Sequence, residues 1–109
     1  MIWLHDLAYF FGGAFLSNAI PHYVSGVMGR AFQSPFAKPP GKGLSSSTVN
    51  VVWGVVNLGA AYFTIARVGQ FDLRAADQAL SLGLGLLVMG VFAARAFGRF
   101  HGGNAPTNT

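Results

Sequence analysis

The chain has 109 residues, of which 52% are hydrophobic and 9% charged, with a formal net charge of +4 and a mean hydropathy of +0.47. Soluble domains carry about 25% charged residues, and a small domain buries only about two-thirds of its chain surface, so this composition excludes an ordinary soluble fold and points to lipid as the solvent. There is no Cys and no Glu, and the side-chain carboxylates are Asp6, Asp72 and Asp77; disulfides, thiolate metal sites and cysteine nucleophiles are excluded, and most general-acid and proton-relay designs are disfavoured.

Three runs without Asp, Glu, Lys or Arg, at Leu7–Gly29, Gly43–Ala66 and Gln78–Ala94, cover more than half of the chain. They predict an all-α integral membrane domain over residues 1–100, with three transmembrane helices in an up-down-up bundle. The first span is expected at about 2–29. As one helix it is about 42 Å long, more than the ~30 Å hydrocarbon core, so it must tilt or bend. Pro21 supplies a kink, because its ring frees the carbonyl four residues back. The start MIWLHD lacks a basic n-region and no small-residue cleavage site follows the apolar stretch, so the segment is expected to stay as an anchor.

Residues 30–48 hold Pro35, Pro39, Pro40, Gly41 and Gly43 and predict an irregular loop without strands. Ser45, Ser46, Ser47 and Thr48 are N-cap candidates for a second span at about 49–67. A short connection follows, with Asp72 as a cap for a turn. The third span is expected at about 78–98, and residues 101–109 read as a disordered polar tail. Short connections favour antiparallel neighbours. Arg30, Lys38, Lys42, Arg95 and Arg99 fall on one side, and Arg67 and Arg74 with all three Asp on the other. The positive-inside rule then puts loop 30–48 and the C-terminus in the cytoplasm and the N-terminus outside, in what we expect to be a bacterial inner membrane. The five basic residues of the first group are expected to meet anionic lipid headgroups.

Within the spans, Asn18, His22 and Ser25 share one helical face, extended by Gly26 and Gly29. Asn50 and Asn57 share a face of the second helix with Gly54 and Ala61. Amides in lipid are costly unless bonded, so these two faces are expected to meet. Ser81, Gly83, Gly85, Gly90, Ala94 and Gly98 form a small-residue pattern on the third helix suited to close helix packing. His22 is the candidate for an axial ligand to a haem or pigment, although no cofactor is required; His5, 17 residues earlier and about 25 Å away by helix rise, cannot close a bis-histidine site. A metal cluster of His5, Asp6, Asp72 and Asp77 is disfavoured against pairing of the carboxylates with Arg67 and Arg74.

No catalytic set is apparent. Ser25 follows His22 by three, but no carboxylate on that side can orient the imidazole. The run Pro39-Pro40-Gly41-Lys42-Gly43 fails the phosphate-loop pattern at Phe36 and Gly43, so nucleotide binding is not expected, and the basic residues sit at span ends rather than in a nucleic-acid stripe. In size and apolar character the chain resembles small multidrug transporters, but that family has four spans and an essential intramembrane Glu, so proton-coupled antiport is disfavoured. The expected role is a non-catalytic subunit, assembly factor or scaffold, homo-oligomeric or within a larger membrane complex. The alternatives are an oligomeric transporter or pore lined by Asn and His, and a cofactor- or pigment-binding subunit using His22.

Overall fold

The computed structural model describes residues 2–105. The chain forms three long helices: α1 (Ile2–Val27), α2 (Ser47–Tyr62) and α3 (Ala76–His101). A single π-helical turn, Phe63–Arg67, extends α2. Two short strands, β1 (Phe32–Gln33) and β2 (Leu44–Ser45), lie between α1 and α2.

Helix α1 runs without interruption through Pro21, so the proline expected to kink the segment does not end it. Gly29, at φ 76°, turns the chain out of the helix as Arg30 N donates to the Ser25 carbonyl at 2.9 Å. Loop 30–48 departs from the expectation of a segment without strands. Phe32 pairs with Ser45 and Gln33 with Leu44 in an antiparallel ladder. Inside it the Ser34 carbonyl accepts from Ala37 N and Gly41 N, and the Pro39 carbonyl from Lys42 N and Gly43 N. Gly41, at φ 75°, makes that reversal. A two-residue ladder carries no alternation long enough to read from sequence, which is why composition alone suggested an irregular arm.

Ser46 caps α2, its side chain accepting from Val49 N at 3.2 Å. At the far end Thr64 Oγ1 donates to the carbonyls of Ala60 and Ala61, where the helix widens into the π turn. Asp72 caps the short turn before α3: its carboxylate accepts from Arg74 N at 2.9 Å and its carbonyl from Ala75 N at 3.0 Å, and the N-cap position of α3 itself is Ala75. The tail also departs from expectation. His101 belongs to α3, Gly102 adopts the left-handed conformation at φ 78°, and Gly103 N donates to Gly98 O. Asn104 Nδ2 then returns to the Arg95 carbonyl at 2.8 Å. The rest of the expected tail, 106–109, lies outside the described residues.

The helices run up, down and up. Along α1 the residues Phe10, Gly13 and Ser17 lie beside Gly85, Leu82 with Leu86, and Gly90 of α3, so these two helices run in the same direction. Gly26, Tyr23, Asn18 and Gly12 meet Ser47 with Val51, Gly54, Asn57 and Ile65, so the α2 segment runs opposite. Glycines set the distances. A Cβ on Gly85 would strike the Phe10 carbonyl and one on Gly13 the Leu82 carbonyl; one on Gly54 would lie 2.8 Å from the Tyr23 amide. Helix α1 packs as extensively on α2 as on α3, whereas α2 and α3 barely touch. It is therefore the middle member of an open row and not one corner of a closed bundle.

Two segments among the described residues are long and apolar enough to cross a membrane, Ser47–Arg67 and Ala76–His101. At about 1.5 Å per residue they exceed a ~30 Å hydrocarbon core. Helix α1, expected as a span at about 2–29, does not reach that standard. The reason is visible in its sequence: Ser17, Asn18, Pro21, His22 and Ser25, with Gly12, Gly13 and Gly26, dilute its apolar content.

Candidate functional site

Polar side chains gather where the loop meets the helices. Asn50 is fully buried. Its Nδ2 lies 3.1 Å from Phe32 O, 3.2 Å from Ser45 O and 3.1 Å from Ser46 O. Carbonyl oxygens only accept, so this end of the amide must be the nitrogen. Oδ1 then faces His22 Nδ1 at 2.7 Å, and because that oxygen is an acceptor, Nδ1 must carry the proton. In the neutral ring Nε2 is left as a lone-pair nitrogen. It makes no hydrogen bond among the described residues, yet the one side-chain polar atom fully sealed without a partner is elsewhere, at Asp6 Oδ1. Nε2 is therefore not sealed, and the His22 ring lines a chamber.

That chamber holds about 350 Å³. His22, Asn18, Trp53 and Phe97 line its helical side, and Ser34, Pro35, Pro40 and Gly41 of the loop roof it. The His22 ring is only 2% exposed. It is held edge-on by Phe32, Phe97 and Trp53, with ring centres 5.6, 5.7 and 6.4 Å away. The loop is fixed from below as well. Ser34 and Ser45 hydroxyls lie 2.6 Å apart, His101 Nε2 donates to Gln33 Oε1 at 2.9 Å, and the His101 ring stacks on Phe32 at 5.1 Å.

One turn deeper, Asn18 Nδ2 donates to Asn57 Oδ1 at 3.0 Å, and Asn57 Nδ2 to the Trp53 carbonyl at 2.9 Å. Asn18, Trp53 and Asn57 border a second space of about 580 Å³. It is a groove over α1 between α2 and α3, walled by Phe10, Phe11 and Phe15 and by Val88, Met89 and Phe92. Asn18 and Trp53 line both spaces, so the groove and the chamber are neighbours that share these two walls.

The structure thus joins Asn18 to Asn57 and His22 to Asn50, while Ser25 is half-buried one turn beyond His22. The small residues of α3 divide. Gly85 and Gly90 face α1, Gly98 faces Asn104 of the C-terminal cap, and Ser81 donates to the Asp77 carbonyl. A Cβ on Gly83 would meet nothing, and Ala94 is exposed. Arg30, Lys38, Lys42, Arg95 and Arg99 are exposed at the loop end. At the opposite end the Asp6 carboxyl faces that of Asp77, and no group of three metal-ligating side chains is found among the described residues. Phe32, Gln33, Ser34, Phe97 and His101 were not singled out as site residues by the sequence. The loop brings them together across up to 68 positions, as in the Gln33–His101 contact, and no spacing rule reaches that far.

No known protein family, curated protein or solved structure matches this chain.

Proposed function

We propose that this protein is a three-span integral membrane protein of a bacterial inner membrane, with α1 as its middle span, acting as a non-catalytic subunit, assembly factor or scaffold that packs against other transmembrane helices. The observation that carries this reading is the division of its polar and apolar groups. Asn18, His22, Asn50 and Asn57 bond to one another and to the loop. The outward faces of α2 and α3 present Val52, Val55, Val56, Leu80, Leu84, Leu87, Val91 and Phe92. Only 22% of the apolar window of Ser47–Arg67 and 6% of that of Ala76–His101 is buried within the chain. A core helix of a soluble domain would be mostly covered, so lipid or partner helices are the natural cover for these faces.

The middle position of α1 supports its assignment as a span. A helix flanked on both sides exposes less of itself to lipid, and tolerates amides and an imidazole that bond to its neighbours. Charge supports the orientation: five of the seven Lys and Arg lie at the loop end, which we assign to the cytoplasm and its anionic headgroups. A polar pore finds less support, because the groove beside Asn18 and Asn57 is walled by phenylalanines, Val88 and Met89. A haem or pigment on His22 is also less favoured. The chamber at Nε2, about 350 Å³ under a loop roof, is at the low end of the ~300–1,000 Å³ of small-molecule sites, and a flat macrocycle would have to lift the loop.

Purification in mild detergent with mass measurement and identification of co-purifying proteins tests the role: a defined oligomer or a reproducible membrane partner is expected, and a lone monomer would refute it. The spans are tested separately. The chain lacks Cys, so single-cysteine variants at Lys42 and Arg74 should label from opposite faces of the membrane, and labelling of both from one face would overturn the topology.

A further inference from the structure

We propose that the chamber and the neighbouring groove together form a binding site for a neutral, hydroxyl-headed, single-chain lipid that reaches past Asn18 and Trp53, its O–H donating to His22 Nε2 and its chain lying along α1 between α2 and α3. This rests on the membrane location proposed above, which the labelling experiment tests on its own. Three observations select that class. The first is the tautomer: Asn50 holds the proton on Nδ1, so the free nitrogen accepts and the head must donate. The second is charge. The chamber lining contains no Lys or Arg, and a phosphate head would enter a confined apolar space without a counter-ion; a small uncharged hydroxyl matches it. The third is length. From His22 in the chamber to Phe10 in the groove, the two spaces together follow α1 for about 18 Å by helix rise, close to half of the ~30 Å hydrocarbon core, which is one chain from the leaflet on the loop side.

The two spaces are not simply surplus apolar surface. A buried imidazole, 2% exposed and with an unpartnered nitrogen, lines the chamber, and the aromatic-walled groove borders that chamber at Asn18 and Trp53. A fourth helix laid in the groove would cover the phenylalanines but leave that nitrogen without a donor.

The test uses the full chain in detergent with Trp3→Phe, so that Trp53, which lines both spaces, is the sole tryptophan reporter. Farnesol, hexadecanol and a decyl-tailed ubiquinol are each titrated against a counterpart without the O–H: the two acetates and the quinone. Saturable binding is expected, with at least one O–H probe preferred over its counterpart by about threefold to tenfold, the worth of one hydrogen bond; which probe wins identifies the source. His22→Leu should abolish the preference, and Met89→Trp, which fills the groove away from the imidazole and is read by titration calorimetry because it adds a tryptophan, should abolish binding. Equal affinity for every pair, unsaturable partitioning, a preference that survives His22→Leu, or full binding to Met89→Trp would each overturn the proposal. If His22→Leu does not fold, the pairwise preference in the parent and the Met89→Trp result decide.

Discussion

Replacing Asn50 should release the loop from the helices. The side chain is fully buried, and its two N–H hydrogens are shared among the carbonyls of Phe32, Ser45 and Ser46 while its oxygen takes the His22 Nδ1 proton. That amounts to three hydrogen bonds at any instant, since an amide nitrogen has two hydrogens. At about 0.6–1 kcal/mol net each, Asn50→Ala loses about 2–3 kcal/mol. The loop opens before it can be cleaved, so the loss appears as faster tryptic cleavage after Lys42, by about 30- to 150-fold where opening is in rapid equilibrium. Asn50→Asp is the sharper variant. It keeps the shape but turns an oxygen toward three carbonyl oxygens, so it should cost at least as much as the alanine. The assay is a cleavage time course in detergent beside a thermal unfolding curve. Cleavage of Asn50→Ala at the parental rate, or an Asn50→Asp variant as stable as the parent, would refute the assignment of that amide.

Gly85→Leu should destabilise by about 1–3 kcal/mol or more through overpacking, because α1 backbone occupies the space. Gly83→Leu, which opens onto nothing, should leave the melting point nearly unchanged; thermal unfolding of the pair measures the difference. Asn57→Leu should cost about 0.6 kcal/mol, the average of interhelical bonds in a membrane protein, and clearly less than Asn50→Ala in the same unfolding assay. Asp6→Asn should raise the midpoint at neutral pH, since it replaces an unpartnered carboxyl oxygen facing Asp77 with an amide able to donate; a lowered midpoint would show that the two carboxyls stabilise one another through a shared proton.

Much of the helical layout can be read from charge spacing, and Ser46 lies among the expected caps. The i, i+3 and i+4 spacings also place Asn18 with His22 and Asn50 with Asn57. What spacing does not reveal is which helix lies in the middle. Hydropathy ranks α1 below the others because of its polar residues and glycines, and only packing shows that its neighbours cover it. The stripe on α3 shows a related limit. Gly83 and Gly85 are two residues apart, about 200° around the helix, so one faces outward while the other admits the Phe10 carbonyl. The two-residue ladder and the clasp of Gln33 by His101 arise from tertiary contacts and have no local signature.

The central place of α1 has a consequence for biogenesis. On the three-span reading proposed above, the helix that is made before its two neighbours also has the lowest hydropathy of the three and enters the bilayer with Asn18 and His22 unaccompanied. Its insertion is therefore expected to become secure only once α2 follows, bringing Asn57 and Asn50 alongside and closing the loop. Helix α3 then joins from the other flank, where glycine contacts need no polar partner. A ribosome-bound chain ending near Arg67 should already hold the α1–α2 hairpin, whereas one ending near Lys38 should slip back toward the interface. The order of the helices in the sequence is thus also an order of rescue.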